Sequence, residues 1–166
     1  MAKIAILVEQ EYQDLEVWYP FLRLREAGHE VVIVGTEKKE YIGKYGYPIK
    51  ADIACRDITV SEYDGVIIPG GWAPDFMRRT PAAAEFVAVM LDRNKMVASI
   101  CHGGWILVSS KRITGRTVTS FMAVRDDLEA AGAQWVDEAC VIDNNLITAR
   151  TPDDLPVFIK AILAAL

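Results

Sequence analysis

The sequence predicts an α/β fold, a doubly wound and mainly parallel sheet with helices on both faces. Three observations carry it. Four short runs, Lys3–Val8, Glu30–Val34, Gly65–Ile68 and Met96–Ile100, are rich in Ile and Val, and most are continuous rather than alternating, as strands buried on both faces must be. Stretches with helical spacing lie between them. Turn and cap signals fall at the junctions, so that strand and helix alternate from end to end.

Each element follows from its residues. Lys3–Val8 is the first strand. Asp14–Ala27 reads as a helix with Leu15, Trp18, Leu22 and Arg25 on one stripe and Gly28 just past its end; Pro20 inside it should bend it or mark an irregular first part. Glu30–Val34 is the second strand. Tyr41–Lys50 carries Gly43, Gly46 and Pro48 and reads as a small hairpin excursion. Gly65–Ile68 is a strand ending in Pro69-Gly70-Gly71. Thr80-Pro81 starts a helix, with Thr80 as N-cap. Met96–Ile100 is the fourth buried strand, and Gly103–Ser110 should be helical. Val118 lies in a short strand, and Val124–Ala131 is a short helix ended by Gly132. Cys140–Asp143 and Leu146–Ala149 flank Asn144-Asn145, a two-residue hairpin signal. Thr151-Pro152 begins the last helix.

The chain has 166 residues, 52% hydrophobic and 25% charged, with a mean hydropathy of +0.16. That is one globular domain, 1–166, with one core. Its net charge is −5, and basic residues nowhere cluster beyond pairs such as Lys38-Lys39. A nucleic-acid or anionic-membrane partner is therefore not expected. No apolar run approaches the roughly 18 residues of a membrane span, and the start of the chain lacks a signal-peptide pattern, so a cytoplasmic protein is expected. Three cysteines, Cys55, Cys101 and Cys140, are odd in number and widely spaced, which argues against a disulfide framework or a metal site. No dinucleotide or P-loop glycine pattern is present.

In a doubly wound sheet, chemistry gathers at the carboxyl ends of the strands. Glu9–Glu16, Pro69–Asp75 and Cys101–Gly104 fall there. The last is the most informative. A buried strand stops at Cys101, and His102, Gly103 and Gly104 lead into a helix, the layout of a nucleophile elbow. A helix N-terminus should lower the pKa of the thiol, and nearby N–H groups can hold an oxyanion. Cys55 and Cys140 sit at no such junction and read as packing residues. His102 is the only histidine at a strand end, because the other, His29, follows a surface-type turn. A third group is needed to orient His102, and Asp75, on the loop after Gly70 and Gly71, is the best candidate. Gly70 and Gly71 let the backbone approach a substrate, and both of their N–H groups are oxyanion candidates. Glu16, beside a thiolate in a closed pocket, should have a raised pKa and share a proton with the sulfur. A glutamine-amidotransferase triad cannot be built, because no histidine follows His102.

With these residues in view, the sequence resembles the DJ-1/PfpI superfamily, close to the PfpI-type intracellular proteases. The marks are Asp14-Leu15-Glu16 leading to Tyr19-Pro20, Gly43-Lys44 with Gly46-Tyr47, Pro69-Gly70-Gly71-Trp72-Ala73-Pro74, Ala98-Ser99-Ile100-Cys101-His102-Gly103, Thr119-Ser120, Asp126-Asp127 and Arg150 with Pro152. The resemblance spans essentially the whole chain. It implies a flavodoxin-like sandwich, akin to the class I glutamine amidotransferase domain, with Cys101 as nucleophile and Glu16 hydrogen-bonded to it. It also implies that the acid at position 75 orients His102 from a neighbouring subunit. The chain departs from the pattern with Asp75 for Glu, Gly104 for Pro, Phe121 for Tyr at the edge of the site, and Gln13 for Glu.

Two chemistries share these parts, and neither needs a metal or an organic cofactor. In hydrolysis, the Cys101 thiolate attacks a carbonyl, Gly71 and His102 N–H groups hold the oxyanion, and His102 protonates the leaving group. In the glyoxalase route, resembling the family's action on 2-oxoaldehydes and their protein adducts, Cys101 adds to an aldehyde and Glu16 moves a proton between adjacent carbons. The expected assembly is a homodimer or larger homo-oligomer, up to a hexamer, because Asp75 and the apolar Trp72 and Phe76 lie on a loop suited to an interface. The expected substrate is a small aldehyde or a peptide. A redox-sensing or chaperone-like stress protein using the same oxidisable cysteine is the alternative.

Overall fold

The computed structural model describes residues 1–166. The strands and helices are β1 (Lys3–Val8), α1 (Asp14–Glu26), β2 (Glu30–Gly35), β3 (Glu40–Ile42), β4 (Pro48–Lys50), β5 (Ile53–Ala54), β6 (Gly65–Ile68), α2 (Ala73–Met77), α3 (Pro81–Asp92), β7 (Met96–Ile100), α4 (Gly104–Ser110), β8 (Thr117–Val118), α5 (Arg125–Ala130), β9 (Gln134–Trp135), β10 (Cys140–Asp143), β11 (Leu146–Ala149) and α6 (Leu155–Ala165).

Seven strands form the central sheet in the order β10-β11-β7-β6-β1-β2-β5. All neighbours pair parallel except β10 and β11, which form the expected antiparallel hairpin. The fold is therefore the flavodoxin-like α/β arrangement that the sequence predicts. Registers such as Ile6↔Ile67 and Ile67↔Ala98 align β1, β6 and β7 at the centre, where every residue of β6 and β7 is buried. Burial on both faces is why these segments read as unbroken apolar runs. From β1 the chain winds out to β2, and from β6 it winds the other way to β7, so the winding reverses between β1 and β6. That reversal opens a crevice at the strand carboxyl ends. β3 and β4 form the small hairpin outside the sheet, and β8 pairs with β9 in a second two-stranded piece.

The structure adds detail to three local readings. Of the stripe Leu15, Trp18, Leu22, Arg25, only Trp18 packs against the core: α1 buries Glu16, Val17, Pro20 and Leu24, and leaves Leu15 57% and Leu22 58% exposed. A helix with apolar residues on both sides offers two stripes, and spacing alone does not choose between them. Pro20 does not interrupt α1, which runs unbroken from Asp14 to Glu26. It costs only the N–H that the Glu16 carbonyl would have accepted. Thr80 does occupy the N-cap position of α3, with Pro81 following, but its side chain makes no capping bond.

Candidate active site

Cys101 follows directly from the end of β7 and adopts φ = 60°. A side chain in this left-handed region costs on the order of 1–3 kcal/mol and persists only where the surroundings impose it. Here the next residues do so. Cys101–Gly103 form a tight 3-10 turn that runs into α4, and a Cβ on Gly103 would stand 2.6 Å from the Ile68 carbonyl of β6. The elbow is thus pressed onto the neighbouring strand, and the thiol is lifted to the rim of the crevice.

Glu16, in the first turn of α1, is fully buried. The Gly70 N–H donates to its Oε2 at 2.6 Å, and its Oε1 has no hydrogen-bond partner. The side chain that couples to this carboxylate is the Cys101 thiol. Gly70 stands between the two: a Cβ there would lie 2.8 Å from Cys101 Cβ, 2.8 Å from Glu16 Oε2 and 2.9 Å from the His102 nitrogen. Only glycine lets the acid and the thiol approach this closely.

The electrostatics follow from this burial. Loss of water raises the Glu16 pKa to about 7, against the opposing pull of the Gly70 N–H. Burial, and then the Glu16 charge, push the Cys101 thiol up to about 12, against the pull of the His102 and Gly71 N–H groups. The sequence expectation of a depressed thiol pKa therefore fails, first because the thiol is buried and then because of the Glu16 charge. Two acids packed this closely hold one negative charge between them, so the thiolate forms when Glu16 carries the proton. His102 Nδ1 lies 3.2 Å from Cys101 Sγ. Burial, and then Lys44, hold the imidazole below its ordinary pKa, so it is neutral at neutral pH. Its ring stacks on Phe121 at 4.8 Å and meets the edge of Trp105 at 5.2 Å.

The two glycine donors are not equivalent. The Gly70 N–H is engaged by Glu16, which removes it as an oxyanion donor. The Gly71 N–H is aimed at the sulfur, alongside that of His102. Gly71 has φ = 74°, and a Cβ there would meet the Glu11 carbonyl at 2.3 Å.

Asp75 is not brought to His102 within the chain. It lies in α2 rather than a loop, and its carboxylate pairs with Arg79. Phe76 is only half-buried and sits under the Arg79 guanidinium, whereas Trp72 is 52% exposed. Cys55 is buried and Cys140 half-buried, each with a thiol that burial pushes up.

A cavity of about 290 Å³ opens over the sulfur. Its wall includes Lys44, Tyr45, Trp72, Cys101, His102 and Phe121. Sequence reasoning placed Lys44 and Tyr45 in a small hairpin excursion and quoted Gly43-Lys44 with Gly46-Tyr47 among the marks of the family resemblance, but gave neither residue a place in the site. No group of three or more His, Cys, Asp or Glu side chains is placed to hold a metal ion. No helix is long and apolar enough to cross a membrane.

A strained cysteine above the carboxyl ends of a parallel sheet, with a buried carboxylate behind it and a histidine beside it, defines a cysteine-elbow α/β protein. The chain belongs to the DJ-1/PfpI family, whose pattern it matches over residues 2–165. It is 40% identical over 158 residues to Deglycase PfpI of Pyrococcus furiosus, covering 95% of each chain. It is 38% identical over 157 residues to YraA of Bacillus subtilis, whose name carries a provisional cysteine-protease assignment, covering 94% of this chain and 93% of that one. Among solved structures, it superimposes with a TM-score of 0.97 and 43% identity on a two-domain protein of Anabaena variabilis. That protein contains DJ-1/ThiJ/PfpI-like and ferritin-like domains; the match covers 99% of this chain and 48% of that one.

Proposed function

We propose that the chain is a cysteine-dependent, PfpI-type enzyme that acts on 2-oxoaldehydes and their adducts, with peptide hydrolysis as the second outlet of the same thiol. The observation that carries this is the Glu16 carboxylate, buried against Cys101 with a pKa of about 7. A group poised there both accepts and returns a proton at neutral pH. Relatives at about 40% identity named as deglycases support the same reading.

In the proposed cycle, the Cys101 thiolate adds to the aldehyde carbon and forms a C–S bond, while the carbonyl oxygen takes up the proton that Glu16 held. The Gly71 and His102 N–H groups stabilise the oxyanion as it develops. The Glu16 carboxylate then removes the proton from that carbon and delivers it to the neighbouring carbonyl carbon, while the hydroxyl proton passes to the neighbouring oxygen, which leaves a thioester of a 2-hydroxy acid. Water cleaves the thioester, releases the acid and returns the thiol. With a peptide, neutral His102 takes the Cys101 proton as the sulfur attacks the amide carbonyl and passes it to the departing amine, and water clears the acyl-enzyme.

We also propose that the working unit is a homo-oligomer, with Asp75 of one copy near the outward edge of His102 in the next. The exposed Trp72 beside α2 and the apolar side of α1 support this reading. A reducing cytoplasm suits an enzyme that needs its thiol free. Parallel assays of methylglyoxal and peptides with wild type and Cys101→Ala test the proposal. Turnover of either substrate that vanishes in the variant supports it. Protection of client proteins against aggregation that survives Cys101→Ala, with no turnover by wild type, would establish the stress-protein alternative instead.

A further inference from the structure

We infer that Lys44 is a substrate-recognition residue, and that the site takes compounds presenting a carboxylate alongside the reactive carbonyl; this rests on the cysteine-nucleophile reading above.

Lys44 is held in place by its backbone. Its N–H donates to the Tyr12 carbonyl at 2.8 Å, Gly43 donates to the Tyr47 carbonyl at 2.8 Å, and Gly46 donates to the Gly43 carbonyl at 2.8 Å. Asp14, at the start of α1, accepts from the Tyr45 and Tyr47 N–H groups at 2.9 and 3.0 Å. The seat is tight: a Cβ on Gly43 would stand 2.3 Å from Asp14 Oδ1. The hairpin tip is therefore clamped to the same helix that supplies Glu16, and Lys44 is presented from that clamp to the wall of the cavity over Cys101.

Its charge has no protein partner. Lys44 takes part in none of the eleven ion pairs, and its ammonium lies only over the Tyr45 ring, 5.5 Å from the centroid. No aspartate or glutamate lines the cavity. Arg150, which precedes the lining residues Thr151 and Pro152, is consumed by Asp154 and Asp137. Lys44 is thus the one fully charged side chain on a wall otherwise made largely of aromatic rings, glycine and proline. Its field reaches the reacting groups, since it draws both Glu16 and His102 toward lower pKa. A ligand with a flat apolar body and one carboxylate matches this wall: the body lies against Trp72 and Phe121, and the carboxylate completes the pairing that Lys44 lacks. Lys44 is exposed at the mouth of the cavity, so this pairing is open to screening by salt.

The test uses two reagents of nearly equal size, anionic iodoacetate and neutral iodoacetamide, with the rate of Cys101 labelling read by intact mass. Lys44→Gln should lower the iodoacetate-to-iodoacetamide rate ratio about tenfold. Lys44→Arg should keep it, and high salt should erode it in wild type. An unchanged ratio in Lys44→Gln, or no labelling of wild type by either reagent, overturns the inference. Turnover then separates the sources of the carboxylate. A small-molecule source predicts a wild-type preference for 4-carboxyphenylglyoxal over phenylglyoxal. A peptide source predicts a preference for a peptide with a free C-terminal carboxylate over its amide. Each preference should be lost in Lys44→Gln. A labelling ratio that responds to Lys44 without turnover of either pair leaves the recognition standing and removes the proposed activity. Turnover of neutral phenylglyoxal with an unresponsive ratio does the reverse.

Discussion

Gly70 donates its N–H to Glu16 Oε2 at 2.6 Å, so the loop after β6 seats the acid that lies against Cys101. The same loop passes close enough to the Cys101 side chain that no Cβ fits between them. Gly70→Ala should therefore cost both stability and chemistry, because two of the three obstructing groups, Cys101 Cβ and the His102 nitrogen, belong to a strained turn that cannot retreat. A loss of about 2 kcal/mol or more by denaturant unfolding is expected, with turnover reduced further than the unfolded fraction explains. Wild-type stability in this variant would show that the turn yields.

Cys101 should be the only fast-reacting thiol. Cys55 and Cys140 lack the elbow: Cys55 is buried in a short 3-10 turn and Cys140 lies in β10. Alkylation at pH 7 followed by peptide mapping should label Cys101 at least about tenfold faster than either. Equal labelling would remove the elbow from the account.

The pH dependence of that reaction should report the pair rather than the sulfur alone. The first proton leaves the Glu16–Cys101 pair near pH 7 from the carboxylate, and only then can Glu16 accept the thiol proton. The alkylation rate of wild type should therefore rise with a midpoint near 7, and Glu16→Gln should lack that step. Superimposable profiles would mean that Glu16 and Cys101 titrate independently.

Glu16→Gln should separate function from stability. A carboxyl group whose pKa is raised by folding holds a proton that the unfolded chain has already released. Wild-type stability should therefore fall as pH rises from about 4.5 to about 7 and stay lower above that. A shift of this size corresponds to about 3 kcal/mol. The amide retains an acceptor for Gly70 and carries no charge, so the variant should be more stable than wild type at pH 8. Its glyoxalase-type turnover should drop by about 10²-fold or more. Thermal unfolding at pH 5 and pH 8, with turnover measured in parallel, checks both signs.

Assembly should matter to activity. Asp75→Asn should lower turnover without unfolding, since Asp75 is half-exposed and its pairing with Arg79 is a surface contact of small worth. Mixing inactive Cys101→Ala chains with impaired Asp75→Asn chains should raise activity above that of Asp75→Asn alone, because one hybrid interface joins an intact Cys101 to an intact Asp75. A fully active monomer, or no recovery after verified subunit exchange, would reject the shared site.

What the sequence makes legible here is what short segments decide for themselves. The strands β1, β6 and β7 are visible because burial on both faces leaves no room for polar residues. The elbow is visible because a strand that halts at Cys-His-Gly-Gly leaves few backbone options. Partners distant in the chain are harder to read. The engagement of the Gly70 N–H by Glu16 spans 54 residues, and nothing near either residue announces it. The outward face of α1, the short helix around Asp75 and the arrival of Lys44 at the cavity are likewise settled by packing. The very short strands β5 and β9 exist only through the neighbours they pair with.

The hairpin of β3 and β4 stands outside the sheet, and only its tip reaches the cavity. Cys101 and Glu16 are held by the core, whereas Lys44 sits at the exposed tip of a hairpin whose strands send Tyr41 and Ile49 into that core. Natural variation can recharge the tip with little penalty to folding, because the anchoring side chains lie elsewhere in the hairpin. Among chains that share this scaffold, diversification of substrate choice should therefore concentrate in the hairpin, while the elbow and the Gly70 loop stay nearly invariant.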